Sequence, residues 1–207
     1  MLELVDISSN NGAVEWPHVR AAGIRGVWLK ATEGSSYTDP TFAAHRTRAA
    51  AAGLRVGAYH FARPDHNSAA VEARHFAAVV GKVGRRELRP VLDLEVQGLR
   101  PHELEAWART FNQQVHLLLH VAPAFYASTA YIAALELTRP IGDGLWLANY
   151  GVNDGHVHAV TAPRPWRRYI AHQYTSAGRV NGIVGNVDRS QAPRLRGILA
   201  FPVRGLL

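Results

Sequence analysis

The chain has 207 residues, 47% of them hydrophobic and 19% charged, which excludes a disordered polyelectrolyte and provides enough length for one large domain. It contains no cysteine, which excludes a disulfide framework, a thiol nucleophile, an iron–sulfur cluster and any cysteine-held zinc. The net charge of +7 arises wholly in residues 160–207, where eight arginines face Asp188 alone, whereas residues 1–159 balance 15 basic with 15 acidic side chains. Such an excess predicts attraction to some polyanion: nucleic acid, an anionic membrane or a charged wall.

In chain order, Leu2–Ile7 reads as a strand and Ala13–Ala22 as a short helix. Gly26–Ala31 is a second strand. Asp39-Pro40 then opens a helix to about Ala52, with Asp39 as N-cap and Pro40 at its first position, and Gly53 stops it. Arg55–Phe61 is the third strand, Ser68–Val80 the third helix and Pro90–Glu95 the fourth strand. Leu104, Trp107, Ala108, Phe111 and Val115 repeat at helical spacing and predict a long helix over Pro101–Leu119. Ala122–Tyr126 is the fifth strand, followed by a short helix around Ala130–Leu137. Five strand–helix units in succession imply parallel strands with right-handed crossovers.

Beyond residue 137 the pattern changes. Half of the eighteen glycines and five of the eleven prolines fall there, leaving no room for a long helix. Strand-like runs remain at Leu145–Asn149, Arg168–Tyr174 and Asn186–Arg189. The expected fold is α/β, an irregular eight-stranded TIM-like barrel of five βα units and three further strands with little helix; a doubly wound open sheet is the alternative.

Chemistry in such a barrel sits at the C-terminal ends of the strands. Those ends carry Asp6, Glu33, Tyr59-His60, Asp93 with Glu95, Tyr126, Asn149-Tyr150, Gln173-Tyr174 and Asp188. Recurrence of acids at one register is not what core packing selects. Asp93 and Glu95 lie at i and i+2 of one strand, so both face the barrel mouth, with Cα atoms about 7 Å apart. Two carboxyls that close cannot ionise independently, and one pKa rises. An acid held protonated beside one that stays ionised suits glycosidic bond cleavage. Tyrosines and tryptophans such as Tyr59, Tyr126, Trp146 and Tyr150 suit the stacking of sugar faces.

The same segments resemble the glycoside hydrolase family 25 lysozymes, the Chalaropsis-type muramidases. The matching pieces are Val5-Asp6-Ile7-Ser8, Trp28-Leu-Lys-Ala-Thr-Glu33-Gly34, Gly57-Ala-Tyr-His-Phe61, Pro90-Val-Leu-Asp-Leu-Glu95, and Gln173-Tyr-Thr-Ser176 with Gly185-Asn-Val-Asp188. They occur in order over about residues 2–191, leaving 192–207 as a basic and apolar tail expected to pack on the same domain. The resemblance implies cleavage of the β-1,4 bond from N-acetylmuramic acid to N-acetylglucosamine in peptidoglycan, without cofactor or metal. By motif, Glu95 is the expected general acid and Asp93 its partner, with Asp6 and Asp188 as the other catalytic aspartates. Tyr59, Tyr126, Glu33, Trp146, Tyr150 and Gln173 are the candidate substrate contacts.

Two rival readings are a zinc amidase and a barrel that binds glycan without cutting it. His116 and His120 lie four apart on a helix without the glutamate of a zinc-protease motif, and His156-Val-His158 lies in a Gly-rich loop. Nothing resembles a zinc finger or an RNA-recognition signature, so no nucleic acid is expected. No apolar run is long enough to span a membrane. Residues 1–6 lack the pattern of an export signal. The expectation is a monomer made in a host cytoplasm and released to the wall, as by a bacteriophage endolysin, or exported by a non-classical route.

Overall fold

The computed structural model describes Met1–Phe201. Its elements, in order, are β1 (Leu2–Ile7), α1 (Trp16–Ala21), β2 (Ile24–Glu33), β3 (Tyr37–Thr38), α2 (Phe42–Ala51), β4 (Arg55–Phe61), α3 (Ala69–Val80), β5 (Val91–Asp93), α4 (Pro101–Leu119), β6 (Ala124–Ser128), α5 (Thr129–Ala134), β7 (Leu145–Ala148), β8 (Ala171–Gly178), β9 (Val187–Ala192) and α6 (Leu195–Ile198). Strands β1, β2, β4, β5, β6, β7, β8 and β9 pair in that circular order, and β9 returns to β1. The sheet is therefore a closed eight-stranded barrel rather than an open one, with β3 a two-residue hairpin arm on β2.

Seven barrel strands run parallel to one another, while β9 is antiparallel to both β8 and β1. The connection from β8 to β9 has only residues 179–186, too few for a crossover that returns the chain to the starting end. That reversal brings Asp188 opposite Asp6 in the register.

Apolar side chains divide into two layers. Outward residues of the strands (Val5, Ile7, Val27, Leu29, Leu92, Phe125) pack under the helices. Helix α4 contributes Leu104, Trp107, Ala108, Phe111 and Val115, the stripe read from its spacing. Phe111 is fully buried, worth about 2–3 kcal/mol of transfer free energy. Inward residues fill the lower barrel: Leu4, Trp28, Leu88, Val91, Trp146 and Ile198. Trp28 and Trp146 stack at 4.3 Å between ring centroids. Gly57 makes this possible, since a Cβ there would lie 2.6 Å from Trp28 Cδ1.

Two local expectations are corrected. Asp39 does not cap α2, which starts at Phe42 after Thr41. Its Oδ1 accepts from the Thr41 amide (2.9 Å) and hydroxyl (2.6 Å), and its Oδ2 from the Ser9 amide (2.8 Å). Asp39 thus forms a turn of its own and ties it to the loop after β1. The first helix begins at Trp16 rather than Ala13, because Val14 is drawn into a bridge with Ile183.

After β9 the chain folds under the barrel. The Arg89 amide donates to Ile198 O (2.8 Å), the Ala200 amide to Glu87 O (2.9 Å), and Ile198 is buried against Leu4 and Leu88. Residues 202–207, which include Arg204 of the basic tail, lie outside the described residues.

Candidate active site

Four carboxyls converge at the C-terminal end of the barrel strands. Asp6 is the penultimate residue of β1, Asp93 ends β5, Glu95 follows two residues later, and Asp188 is the second residue of β9. Asp6 and Asp188 are register partners and stand in hydrogen-bonding contact, as do Asp93 and Glu95. The pairs also feel each other: Glu95 acts electrostatically on both Asp6 and Asp188, and Asp6 acts on Asp93.

Depth separates the members of each pair. Asp6 and Asp93 are 8% and 6% exposed, whereas Glu95 stands at the rim and Asp188 is half-buried. Burial first, then the neighbouring carboxylate, holds Asp6 and Asp93 well above the ordinary aspartate range. Burial also raises Glu95 and Asp188, opposed by the hydrogen bond each receives from its inner partner. Within each pair, burial and the partner's charge favour the proton on the inner acid over the outer one. Asp93 Oδ1 is buried without a hydrogen-bond partner in the protein.

Gln173 organises the other side. Its Nε2 donates to Asp6 Oδ2 (2.9 Å), while its Oε1 accepts from Tyr126 Oη (2.7 Å) and Tyr150 Oη (2.8 Å). Two phenols and one aspartate are therefore oriented by a single amide that is 2% exposed. Tyr59 lies on β4 inside the same field of Asp6, Asp93 and Asp188, and burial beside these acids raises its pKa.

A bulge aims two further residues at the mouth. The β2–β4 register slips between Lys30 and Thr32, so Lys30 and Glu33, which would face opposite ways on a regular strand, share one side. Lys30 Nζ donates to Glu33 Oε2 at 2.6 Å, and Arg63 Nη1 reaches Glu33 Oε1 at 3.4 Å. Lys30 also sits 4.9 Å above the Phe61 ring and acts against the upward shift of Asp93. Sequence reading did not single out Lys30; a cation within an otherwise apolar strand was the available signal. Thr32 and His60 turn outward instead, into a buried chain in which Thr32 Oγ1 meets His60 Nδ1 (2.7 Å) and His60 Nε2 meets Glu72 Oε2 (2.7 Å).

One candidate substrate contact is corrected. Trp146 is 2% exposed, stacked on Trp28 and beneath Tyr126, and its indole N–H donates to Ser190 Oγ at 3.0 Å. Its even position on β7 points it inward, but one layer too deep for a sugar to reach. It forms the floor of the mouth. The histidines of the metal reading lie elsewhere: His120 ends α4 in a left-handed conformation, and His156 and His158 turn toward Asp154 on an exposed loop. Among the described residues, no group of three or more potential ligands is placed to hold a metal ion.

The profile of the family described as "Glycosyl hydrolases family 25" matches residues 5–183, enclosing Asp6, Asp93 and Glu95 and ending just before Asp188. Lysozyme M1 of Streptomyces globisporus is 32% identical over 203 residues, which cover 90% of this chain and 66% of that protein, so the chain spans about two-thirds of its length. The N,O-diacetylmuramidase of a Chalaropsis species is 33% identical over 207 residues, covering 88% of this chain and 94% of the relative. The crystal structure of the bacterial lysozyme from Streptomyces coelicolor superposes with a TM-score of 0.86 at 30% identity, covering 93% and 92% of the two chains. On the match over residues 5–183, the shared fold and these relatives, the chain belongs to glycosyl hydrolases family 25.

Proposed function

We propose that the chain is a muramidase that hydrolyses the β-1,4 bond from N-acetylmuramic acid to N-acetylglucosamine in bacterial peptidoglycan. The observation that carries this reading is the Asp93–Glu95 pair at one strand end, Asp93 buried and Glu95 at the rim, each with its pKa raised, so that one of the two holds a proton more readily than a free carboxyl. Moving that proton from Asp93 to Glu95 arms Glu95 as the general acid for the leaving oxygen and leaves Asp93 anionic beside the developing positive charge on the sugar.

The contact between these two carboxyls also bears on the route. A nucleophile and an acid that flank a sugar from opposite faces stand about 5–5.5 Å apart, and a base that admits a water stands farther still. Two carboxyls placed two residues apart at one strand end, each shifting the other, favour action from one side of the sugar over flanking it from opposite faces. This supports attack by the substrate's own N-acetyl group, with Asp93 orienting it. Asp6, held by Gln173, and Asp188 beside it complete the acidic wall of the site.

Mass spectrometry of digested muropeptides tests the reaction: muramic acid at the new reducing end is the expected product, and release of stem peptides without new reducing ends would refute it. Glu95→Gln keeps the size of the side chain but has no proton to donate, so turnover falls by about 10²–10⁴-fold with an unchanged circular dichroism spectrum. For delivery, the reading is release to the wall through a membrane lesion made by another protein, as for a bacteriophage endolysin. Lysis only on co-expression with such a protein is the result expected, and lysis without it would overturn that route.

A further inference from the structure

The end of the barrel opposite the carboxyls has the reverse electrostatic character. Its acids are already matched: Glu87 by Arg46 (2.9 Å), Asp143 by Arg89, and Glu3 by Arg189 (2.8 Å). Around them Arg25, Arg55, Arg86, Arg194 and Arg196 have no carboxylate within 4 Å among the described residues, and all but half-buried Arg55 are exposed.

These cations form one band. Arg55 is the register partner of Gly26, next to Arg25, and its Nη1 donates to Arg86 O (3.3 Å). Leu88, two residues after Arg86, bridges to Leu199 of the C-terminal segment. That segment carries Arg194 and Arg196 and lies with Gly197 against Ile170, just beyond the exposed Arg167 and Arg168. The exposed Arg25 is steadied through Nη1, which donates to the Arg20 and Ile24 carbonyls (3.3 and 3.1 Å).

We propose that this basic band is a docking surface for a wall-attached linear phosphodiester polymer, held while the mouth at the other end works on the glycan. The proposal rests on the muramidase reading for its setting at the wall. Guanidinium forks match phosphate oxygens in charge and geometry. Nucleic acid fits less well, because base stacking needs free aromatic faces. Among the described residues, the one exposed large aromatic on this face is Phe201, and the Arg196 guanidinium already sits 5.9 Å from its ring. Five phosphate contacts, at a slope of about 0.7 each for a single-stranded polyphosphate, lose on the order of 100-fold in affinity between about 50 and 200 mM salt.

The test uses the full chain in the Glu95→Gln background, sedimented with intact Gram-positive walls and with the same walls stripped of phosphodiester polymer by hydrofluoric acid. Retention on intact walls at low salt, at least ten-fold lower on stripped walls and steeply salt-dependent, is expected. Replacing Arg25, Arg55, Arg86, Arg194 and Arg196 by glutamine should reduce binding to the stripped-wall level. Equal retention on both wall preparations would overturn the proposal, as would an unchanged replacement variant or tighter binding to a DNA duplex or anionic vesicles. Release of reducing ends from stripped walls by the active chain is measured alongside; it reports the muramidase reading independently of docking.

Discussion

Replacing Gln173 by methionine isolates the amide that joins three site residues. The side chain keeps its length and volume but loses the acceptor for two phenols and the donor for Asp6. Tyr126 is 6% exposed, so its hydroxyl is left without a partner, which costs about 1–3 kcal/mol. Tyr150 is half-buried and turns to water at little cost, and the lost bond to Asp6 adds about 1 kcal/mol. The sum is about 2–4 kcal/mol, or roughly 5–15 °C in Tm for a chain of this size. Asp6 also loses the hydrogen bond that pulls its pKa down, so it keeps its proton to still higher pH, its charge raises Asp93 less, and the alkaline limb of the kcat/KM profile, which the Asp93–Glu95 pair sets, moves down. A displacement of the Asp6–Asp188 pair by about 1 Å lowers kcat by about 10²-fold. Thermal unfolding, the pH–rate profile and a double-mutant cycle with Tyr126→Phe measure these effects. A wild-type Tm and pH profile, or strictly additive effects of the two substitutions, would show that Gln173 does not organise the site.

The buried acids make stability fall as pH rises. Unfolded aspartates lose their protons near pH 4, whereas Asp6 and Asp93 keep theirs to higher pH in the fold, so the folded state binds more protons across that window and each unit of elevation costs about 1.4 kcal/mol above it. Asp93→Asn, which still donates to Glu95, should therefore raise Tm at pH 7 while leaving it nearly unchanged at pH 4, and should abolish most activity; a Tm that drops at pH 7 would contradict the burial argument. Trp146→Ala should cost about 3–5 kcal/mol of stability through the cavity beside Trp28, and Trp146→Phe should change Tm more than KM, the reverse of what a sugar-stacking residue would show. Glu33→Gln weakens the hold on Lys30 and should alter kcat/KM by less than ten-fold, measured on soluble muropeptides.

Much of the barrel was legible because its signals are local. Leu2–Ile7, Arg55–Phe61 and Pro101–Leu119 have the boundaries their patterns imply, since each is set by its own apolar period and stop residues. That the acids of the candidate site come together was legible for the same reason: a strand end is visible in sequence, and Asp6, Asp93 and Asp188 lie at or beside such ends. What escaped the sequence depends on register. The slip between Lys30 and Thr32 decides that Glu33 and Lys30 meet and that Thr32 and His60 turn away, yet a bulge leaves no mark in composition. Trp146 and Tyr150 look alike as aromatics on or just after β7, but depth along the barrel puts one under the site and the other at its edge. Asp39 carried every sign of a helix cap and was claimed instead by the Ser9 amide from another loop.

The antiparallel β9 explains why so many carboxyls share one mouth. In a barrel of parallel strands, side chains at neighbouring C-terminal ends spread with the barrel radius. Here β9 enters from the mouth side, so its second residue, Asp188, sits directly across from Asp6 at the end of β1. A one-residue slip in that pairing would turn Asp188 outward and expose Val187 to the interior. Val187 is 2% exposed within the outer apolar layer, and Ser190, two residues beyond Asp188 on the same face, is held by the Trp146 indole and lies opposite Gln173. The stacked tryptophans therefore do more than floor the cavity: through Ser190 they fix the register that brings the fourth acid to the other three.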